Sequence, residues 1–247
     1  MYLCIKVGSV LNPRQTINSI MRKKSLFFAV MALMVIATGC RRTSESENTE
    51  EKEITAQVGS FDRIHIQTAC DLTFEIADSS KLTMSGSAAV VDDVILDKQD
   101  GCLVIKQSGK RAFRNHNLKI KVSSPVLKGI DHDGAGSVCL NGEIKSDSMA
   151  LNLTGVGSIE AERIICGNLS VHDNGTGSVT LKAVTADDAS LFLNGVGSMD
   201  ANFISSGSLN CVLDGVGSMD LKGQVKSFCK SVSGVGNIEA GQLKVGE

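Results

Sequence analysis

The chain has 247 residues, 42% hydrophobic and 21% charged, with 25 Gly, 2 Pro, no Trp and one Tyr. Residues 1–39 hold five basic and no acidic residues, so from Cys40 onward 20 bases face 27 acids. The resulting net charge of −7, with no compact basic stripe of interleaved aromatics, disfavours nucleic acid as a partner.

Residues 1–20, which contain Pro13 and the only Tyr, read as the product of an upstream start codon, with Met21 as the true initiator. Residues 21–39 read as a lipoprotein signal peptide. Arg22, Lys23 and Lys24 form the positive region, and Ser25–Ile36 is an apolar run too short to span a bilayer comfortably. The small residues of Ala37-Thr38-Gly39-Cys40 resemble a bacterial lipobox, so Cys40 is the expected lipidation site. Several acyl chains there would anchor the protein to a membrane, each buried methylene adding about 0.8 kcal/mol.

Residues 40–55 are expected to form the lipidated cysteine and an acidic tether. Arg41 to Glu53 contains no apolar residue and five glutamates, so it has nothing to bury. Acid-rich segments after a lipidated cysteine resemble the surface-export signals of some Gram-negative lipoproteins.

Residues 56–247 are expected to form the folded head. From about Ala56 to Gly129, strand-like runs such as Ile64-His65-Ile66, Leu72–Ile76 and Leu118–Val122 alternate with turn residues, and read as irregular coils or a sheet capping a solenoid. Pro125 marks the passage into regular repeats. From about residue 130 the motif Gly-Xaa-Gly-[Ser/Asn] occurs six times, with glycine pairs at 134 and 136, 155 and 157, 175 and 177, 195 and 197, 215 and 217, and 234 and 236. The steps between first glycines run from 19 to 21, a period that signifies stacked units. Gly134, Gly136, Gly155, Gly157, Gly175, Gly177, Gly195, Gly197, Gly215, Gly217, Gly234 and Gly236 are therefore assigned to structural turns, where glycine supplies backbone conformations that a Cβ resists.

Counting from each first glycine, apolar residues recur at two-residue spacing before it (Leu151, Val171, Leu191, Cys211; then Leu153, Leu193, Leu213, Val232). They recur again after it (Val138, Ile159, Val179, Met199, Met219, Ile238; then Leu140, Ala161, Leu181, Ala201, Leu221, Ala240). Spacing of two is strand spacing. A third inward position is expected at Ile144, Ile164, Val184, Ile204, Val225 and Leu243. One unit alone buries too little to hold its backbone ordered, so the units must stack at about 4.8 Å per layer. The fold class is all-β, a single-stranded parallel β-helix, right-handed by the crossover rule. A leucine-rich repeat, a nine-residue calcium roll and a dinucleotide fingerprint all lack their required context.

FDRIHIQTACDLTFEI, LKIKVSSPVLKGI and the serial Gly-x-Gly-[Ser/Asn]-hydrophobic units together resemble the putative auto-transporter adhesin, head GIN domain family, from roughly Phe61 to Gly241. The resemblance implies a right-handed β-helix and an adhesive role. It supplies no catalytic residues. Lipidation at Cys40 would take the place of a C-terminal membrane barrel as the anchor.

Candidate chemistry is sparse. Acids recur five places after the glycine at Glu160, Asp200, Asp220 and Glu239, interrupted by Thr180; at that parity they face solvent. Calcium needs six or more oxygens from several directions, so no metal is expected, and no cofactor. His65, His116, His132 and His172 read as surface or loop residues sharing no column. The six cysteines after Cys40 read as unpaired, small buried hydrophobes, with Cys211 and Cys229 the pair closest to matching columns. The candidate contact residues are Phe192, whose parity is outward between Leu191 and Leu193, and the basic loop carrying Arg111, Phe113 and Arg114.

These observations describe a non-enzymatic exported lipoprotein with an adhesin-like head, at the outer membrane of the cell envelope, surface-exposed or periplasmic. Its partners are the membrane through its anchor and an unknown protein or glycan. The alternatives are a polysaccharide-active enzyme on the same scaffold, or a structural envelope protein that self-associates weakly through the last coil at residues 241–247.

Overall fold

Period-two burial runs through nearly the whole of the computed structural model, which describes residues 50–108 and 117–246. The N-terminal part contains β1 (Glu51–Gln57), β2 (Arg63–Gln67), β3 (Asp71–Ile76), β4 (Lys81–Ser87), a single-turn α1 (Ala88–Val91), β5 (Val94–Gln99), β6 (Cys102–Gln107), β7 (Lys119–Ser124) and β8 (Gly129–His132). Strands β1, β4 and β7 pair antiparallel, as do β5 and β6. Strands β2 and β3 pair in parallel with β8 and with the first regular coil, so one continuous sheet joins cap and repeats.

The repeats are β9 (Ala135–Leu153), β10 (Val156–Asp173), β11 (Thr176–Leu193), β12 (Val196–Leu213), β13 (Val216–Val232) and β14 (Val235–Val245). Each pairs in parallel with the next about 20 residues on, Gly157 opposite Gly177 and Ile159 opposite Val179. This is a β-solenoid of about six turns. Each coil is one ribbon that turns its inner corners through small register shifts, as between Ala161 and Arg163, without interrupting the pairing. The sequence columns face inward: Leu151, Val171, Leu191 and Cys211 are completely buried, and Val138 through Ile238 nearly so.

The corner glycines have a steric cause beyond turn conformation. A Cβ on any of the twelve would lie 1.7 to 2.3 Å from a backbone carbonyl oxygen of the preceding coil. At Gly136 the backbone also has φ +114°, a region that favours glycine.

That rule exposes a coil hidden in the sequence. Strands β2 and β3, joined through Thr68-Ala69-Cys70, stack on β8 and β9 with Ile64 opposite Ile130, Leu72 opposite Val138 and a bridge from Ala69 to Ala135. Thr68 and Cys70 occupy the two glycine positions, and their carbonyls are what Gly134 and Gly136 must clear. The pairing of β2 with β6 ends at Gln67 and Lys106, and that of β3 with β7 begins at Asp71 and Lys119, so among the described residues no strand crowds this corner, and Thr68 and Cys70 carry a Cβ there.

Three expectations are corrected. Glu51 to Thr55, assigned to the tether, lie in β1, which pairs with β4 from Glu51 opposite Ser87 to Gln57 opposite Lys81. Its exposed glutamates alternate with partly buried Lys52 and Ile54, and this alternation gives the polar stretch a strand's place. Ile204 is 49% exposed and Phe203 is fully buried. Phe203 stands opposite Val184, because β12 keeps alternating one residue further before its corner. In β13 Phe203 faces Gly223, which contributes no side chain to compete with the ring. In the expected inward column, Val232 is 45% exposed, because β14 covers β13 only as far as Val225.

Candidate contact surface

The side chains that alternate outward stack in register as strictly as the inward ones. Three residues before Thr68 and before each first glycine lies a column of His65, Asp131, Asn152, His172, Phe192, Val212 and Ser231, running across cap and solenoid. Beside it runs a lane of small residues, Gly129, Ala150, Ser170, Ser190 and Asn210. On the other side, just before the glycines, polar side chains bridge neighbouring coils. Thr154 Oγ1 donates to Asp133 Oδ1 at 2.5 Å, Asn194 Nδ2 to Asn174 Oδ1 at 3.0 Å and Ser233 Oγ to Asp214 Oδ1 at 2.6 Å. Beyond the corner, Val156, Val196, Val216 and Val235 form an exposed aliphatic ridge.

Phe192 is half-buried rather than fully exposed, and its ring stacks on His172 with centroids 4.5 Å apart and planes 8° from parallel. Adjacent rungs lie about 4.8 Å apart, so two flat side chains in one column fill that gap face to face. Their edges, not their faces, are turned outward. This geometry suits contact with a partner's backbone and side chains better than stacking under a sugar ring.

The polar end of the face lies where the cap meets the first coils. Arg63 Nη2 donates to Asp131 Oδ2 at 3.2 Å, Asn152 Nδ2 donates to Asp131 Oδ1 at 2.6 Å, and His65 Nε2 lies 2.5 Å from Asp133 Oδ2. Against the upward push of burial, the hydrogen bonds from Thr154 and His65 hold the Asp133 carboxyl below the usual range. His65 and His172 thus share a column, contrary to expectation, and His132 is no surface residue.

His132 and Asp173 sit in the inward column otherwise formed by Ile66, Leu153, Leu193 and Leu213. Both are completely buried. His132 Nε2 lies 3.1 Å from the Gly136 carbonyl, while Nδ1 has no partner among the described residues. Asp173 Oδ1 accepts the Gly175 N–H at 3.0 Å, and Oδ2 has no partner among the described residues. Burial pushes the Asp173 carboxyl pKa up and the His132 imidazole pKa down. The two act oppositely on stability. The contribution of Asp173 is complete below the unfolded value of about 3.9 and is lost as pH rises through its higher folded value. That of His132 is present above about 6.5 and is lost as pH falls through its lower folded value. Asp173→Leu is expected to stabilise the protein at pH 7 by about 1 to 3 kcal/mol, since an unpartnered buried polar atom is replaced by the residue of the neighbouring coils. Urea unfolding at pH 4 and pH 7 checks it: the gain should shrink at pH 4.

The sequence pattern of the family described as "Putative auto-transporter adhesin, head GIN domain" matches residues 60–202 and 174–247. The chain belongs to this family. The head GIN fold is found in a putative adhesin from Bacteroides fragilis, 24% identical, with a TM-score of 0.66 over 77% of this chain and 96% of that one. It is found as well in a putative lipid binding protein from Parabacteroides distasonis, 19% identical, with a TM-score of 0.52 over 81% of this chain and 98% of that one. At these identities the likeness is one of fold. No curated protein matches the chain.

In this head GIN domain the acidic ladder lies outward. Asp200, Asp220 and Glu239 succeed one another in register after Thr180. Lys182 pairs with Glu160, and Lys222 lies 3.4 Å from Asp220. Among the described residues, no three His, Cys, Asp or Glu side chains converge to hold a metal ion. Cys40, His116 and the contact candidates Arg111, Phe113 and Arg114 lie outside the described residues.

All six described cysteines are unpaired. Cys229 stands opposite Asn210 rather than Cys211, so the two thiols point to opposite sides of the sheet. Desolvation pushes Cys70 and Cys211 up to about 12 and Cys166 to about 11, while Cys229 is exposed. Maleimide labelling at pH 8 should therefore modify Cys229 first and leave Cys70, Cys166 and Cys211 unmodified until the protein unfolds. Mass spectrometry of the labelled peptides checks this.

Proposed function

We propose that this chain is a non-enzymatic, adhesin-like binding head, exported by its signal peptide and anchored through lipidated Cys40 at the outer membrane of the cell envelope. The observation that carries the reading is the outward column from His65 to Ser231, one flat face made continuous by the register of the coils. At its centre the His172 and Phe192 pair is held rigid by mutual stacking, with small residues on one side and hydrogen-bonding Asn174 and Asn194 on the other. Rigid aromatic edges rimmed by polar groups are what a protein interface uses for anchoring. The face is distributed rather than concave, so binding rests on many weak contacts and gains from multivalent display on a membrane. Among its described residues the head offers no paired acid and base around a cleft of the kind that polysaccharide cleavage needs.

The test has two arms. On intact cells, added protease should remove the head, and Cys40→Ala should abolish metabolic labelling with a fatty acid. With the soluble protein from Arg41 to Glu247, which retains β1, binding to envelope and host extracellular proteins should fall at least 10-fold in Phe192→Ala, with the melting temperature little changed. Polysaccharide turnover by the wild-type protein would overturn the non-enzymatic reading, and binding that ignores Phe192 would overturn the placement of the contact face.

A further inference from the structure

Strand β14 presents an edge whose pattern complements itself. Its inward residues are Ile238, Ala240, Leu243 and Val245; its two flat segments meet at an outward corner formed by Gly241 and Gln242. Backbone groups of inward residues point toward the following coil, as the Val225 carbonyl does in accepting the Gly246 N–H at 3.0 Å. Among the described residues, β14 has no partner strand on that side. The N–H and C=O groups of its four inward residues are therefore directed at an open edge, a template for another strand.

Turning a second copy about a two-fold axis at the Gly241 and Gln242 corner sets Ile238 opposite Val245 and Ala240 opposite Leu243, inward side chain against inward side chain. It also sets Glu239 opposite Lys244 on the outer face. Opposite pairs of this kind exchange two hydrogen bonds each in an antiparallel ladder, about eight across the junction. An isologous contact has to be self-complementary in this way, and both the apolar alternation and the charges of β14 satisfy it. We propose that the open end of the solenoid pairs with the same end of a second copy, β14 against β14, antiparallel about this axis.

Lys230 limits the strength of that contact. It stands opposite Cys211, in the inward column of Leu191 and Val171, and its Nζ donates to the Ile238 carbonyl at 3.2 Å. That carbonyl is one the second copy would use, so Lys230 must swing aside for pairing. An inward-pointing lysine is a known way of moderating a strand edge. The end-to-end contact is accordingly weak and reversible, and it deepens the multivalency of the display face without being required for binding there.

Sedimentation of residues 41–247 from 10 μM to 1 mM tests the proposal. The wild type should move from monomer to dimer across this range, without larger species. Lys230→Leu should tighten dimerisation at least 10-fold. Lys244→Glu, which places like charges opposite each other, should weaken it at least 5-fold, and Glu239→Lys combined with Lys244→Glu should restore it. These residues are exposed, and circular dichroism should show each variant folded. Monomers at 1 mM for both wild type and Lys230→Leu would overturn the pairing. So would dimers indifferent to the charge exchange, or assemblies that grow past two. Loss of dimerisation with target binding intact would leave the display face standing on its own.

Discussion

Gly197→Ala is expected to prevent normal stacking of the solenoid, lowering stability by at least about 4 kcal/mol, beyond the ordinary range for a point substitution. The added methyl would lie 1.8 Å from the Gly177 carbonyl oxygen, with the carbon and nitrogen of Gly177 at 2.8 and 3.2 Å. No side-chain rotation relieves a backbone-to-backbone clash, so two coils must part and their shared hydrogen bonds lengthen. For a domain of this size the melting temperature should fall by about 10 °C or more, or the protein should fail to fold. Val196→Ala, one residue away on the exposed ridge, should change stability by less than about 0.5 kcal/mol. Thermal unfolding of the two variants side by side checks the pair. Equal behaviour would show that the glycines serve flexibility rather than close approach.

Phe203→Ala is expected to cost about 3 to 5 kcal/mol, through lost burial and a cavity its neighbours cannot close. The ring is completely buried, opposite Val184 on one side and Gly223 on the other. A collapse onto Gly223 is resisted because that backbone already lies against Phe203. Ile204→Ala should change stability by less than about 0.5 kcal/mol, since Ile204 is on the outside. Urea denaturation distinguishes the two. If Ile204 proved the costly substitution, the register of β12 would be wrong.

The contrast between Phe203 and Ile204 shows where sequence periodicity stops informing. The columns four and six residues after the first glycine lie on a straight run anchored by the corner, and there Val138, Ile159, Val179, Met199, Met219 and Ile238 are buried as their spacing requires. The third column lies past an inner corner whose length varies by a residue between coils. Two adjacent apolar residues then both fit the spacing, and only packing against neighbouring coils decides which enters. The coil formed by β2 and β3 was legible in its apolar spacing, since Ile64, Ile66, Leu72 and Phe74 stand where other coils place theirs. It was obscured because the glycine signature answers to a neighbouring backbone stacked at the corner, and among the described residues none pairs with Thr68-Ala69-Cys70 on the side of β6 and β7.

The contact face was less legible still. The outward parity of Phe192 follows from alternation, but its stacking on His172 depends on which residue sits twenty positions earlier. His132 and Asp173 show the opposite limit. Their column is apolar elsewhere, and neither polar side chain announces that it is buried.

The most direct test of in-register stacking is a set of spin-label distances along the exposed ridge, with labels replacing Ala135, Val156 and Val235 in pairs. Residues 156 and 235 are four rungs apart and residues 135 and 235 are five, so the backbone separations should be about 19 and 24 Å, rising by one strand spacing per rung. Separations that fail to grow in step with the number of intervening glycine motifs would contradict the stacked solenoid, and with it the continuous outer face.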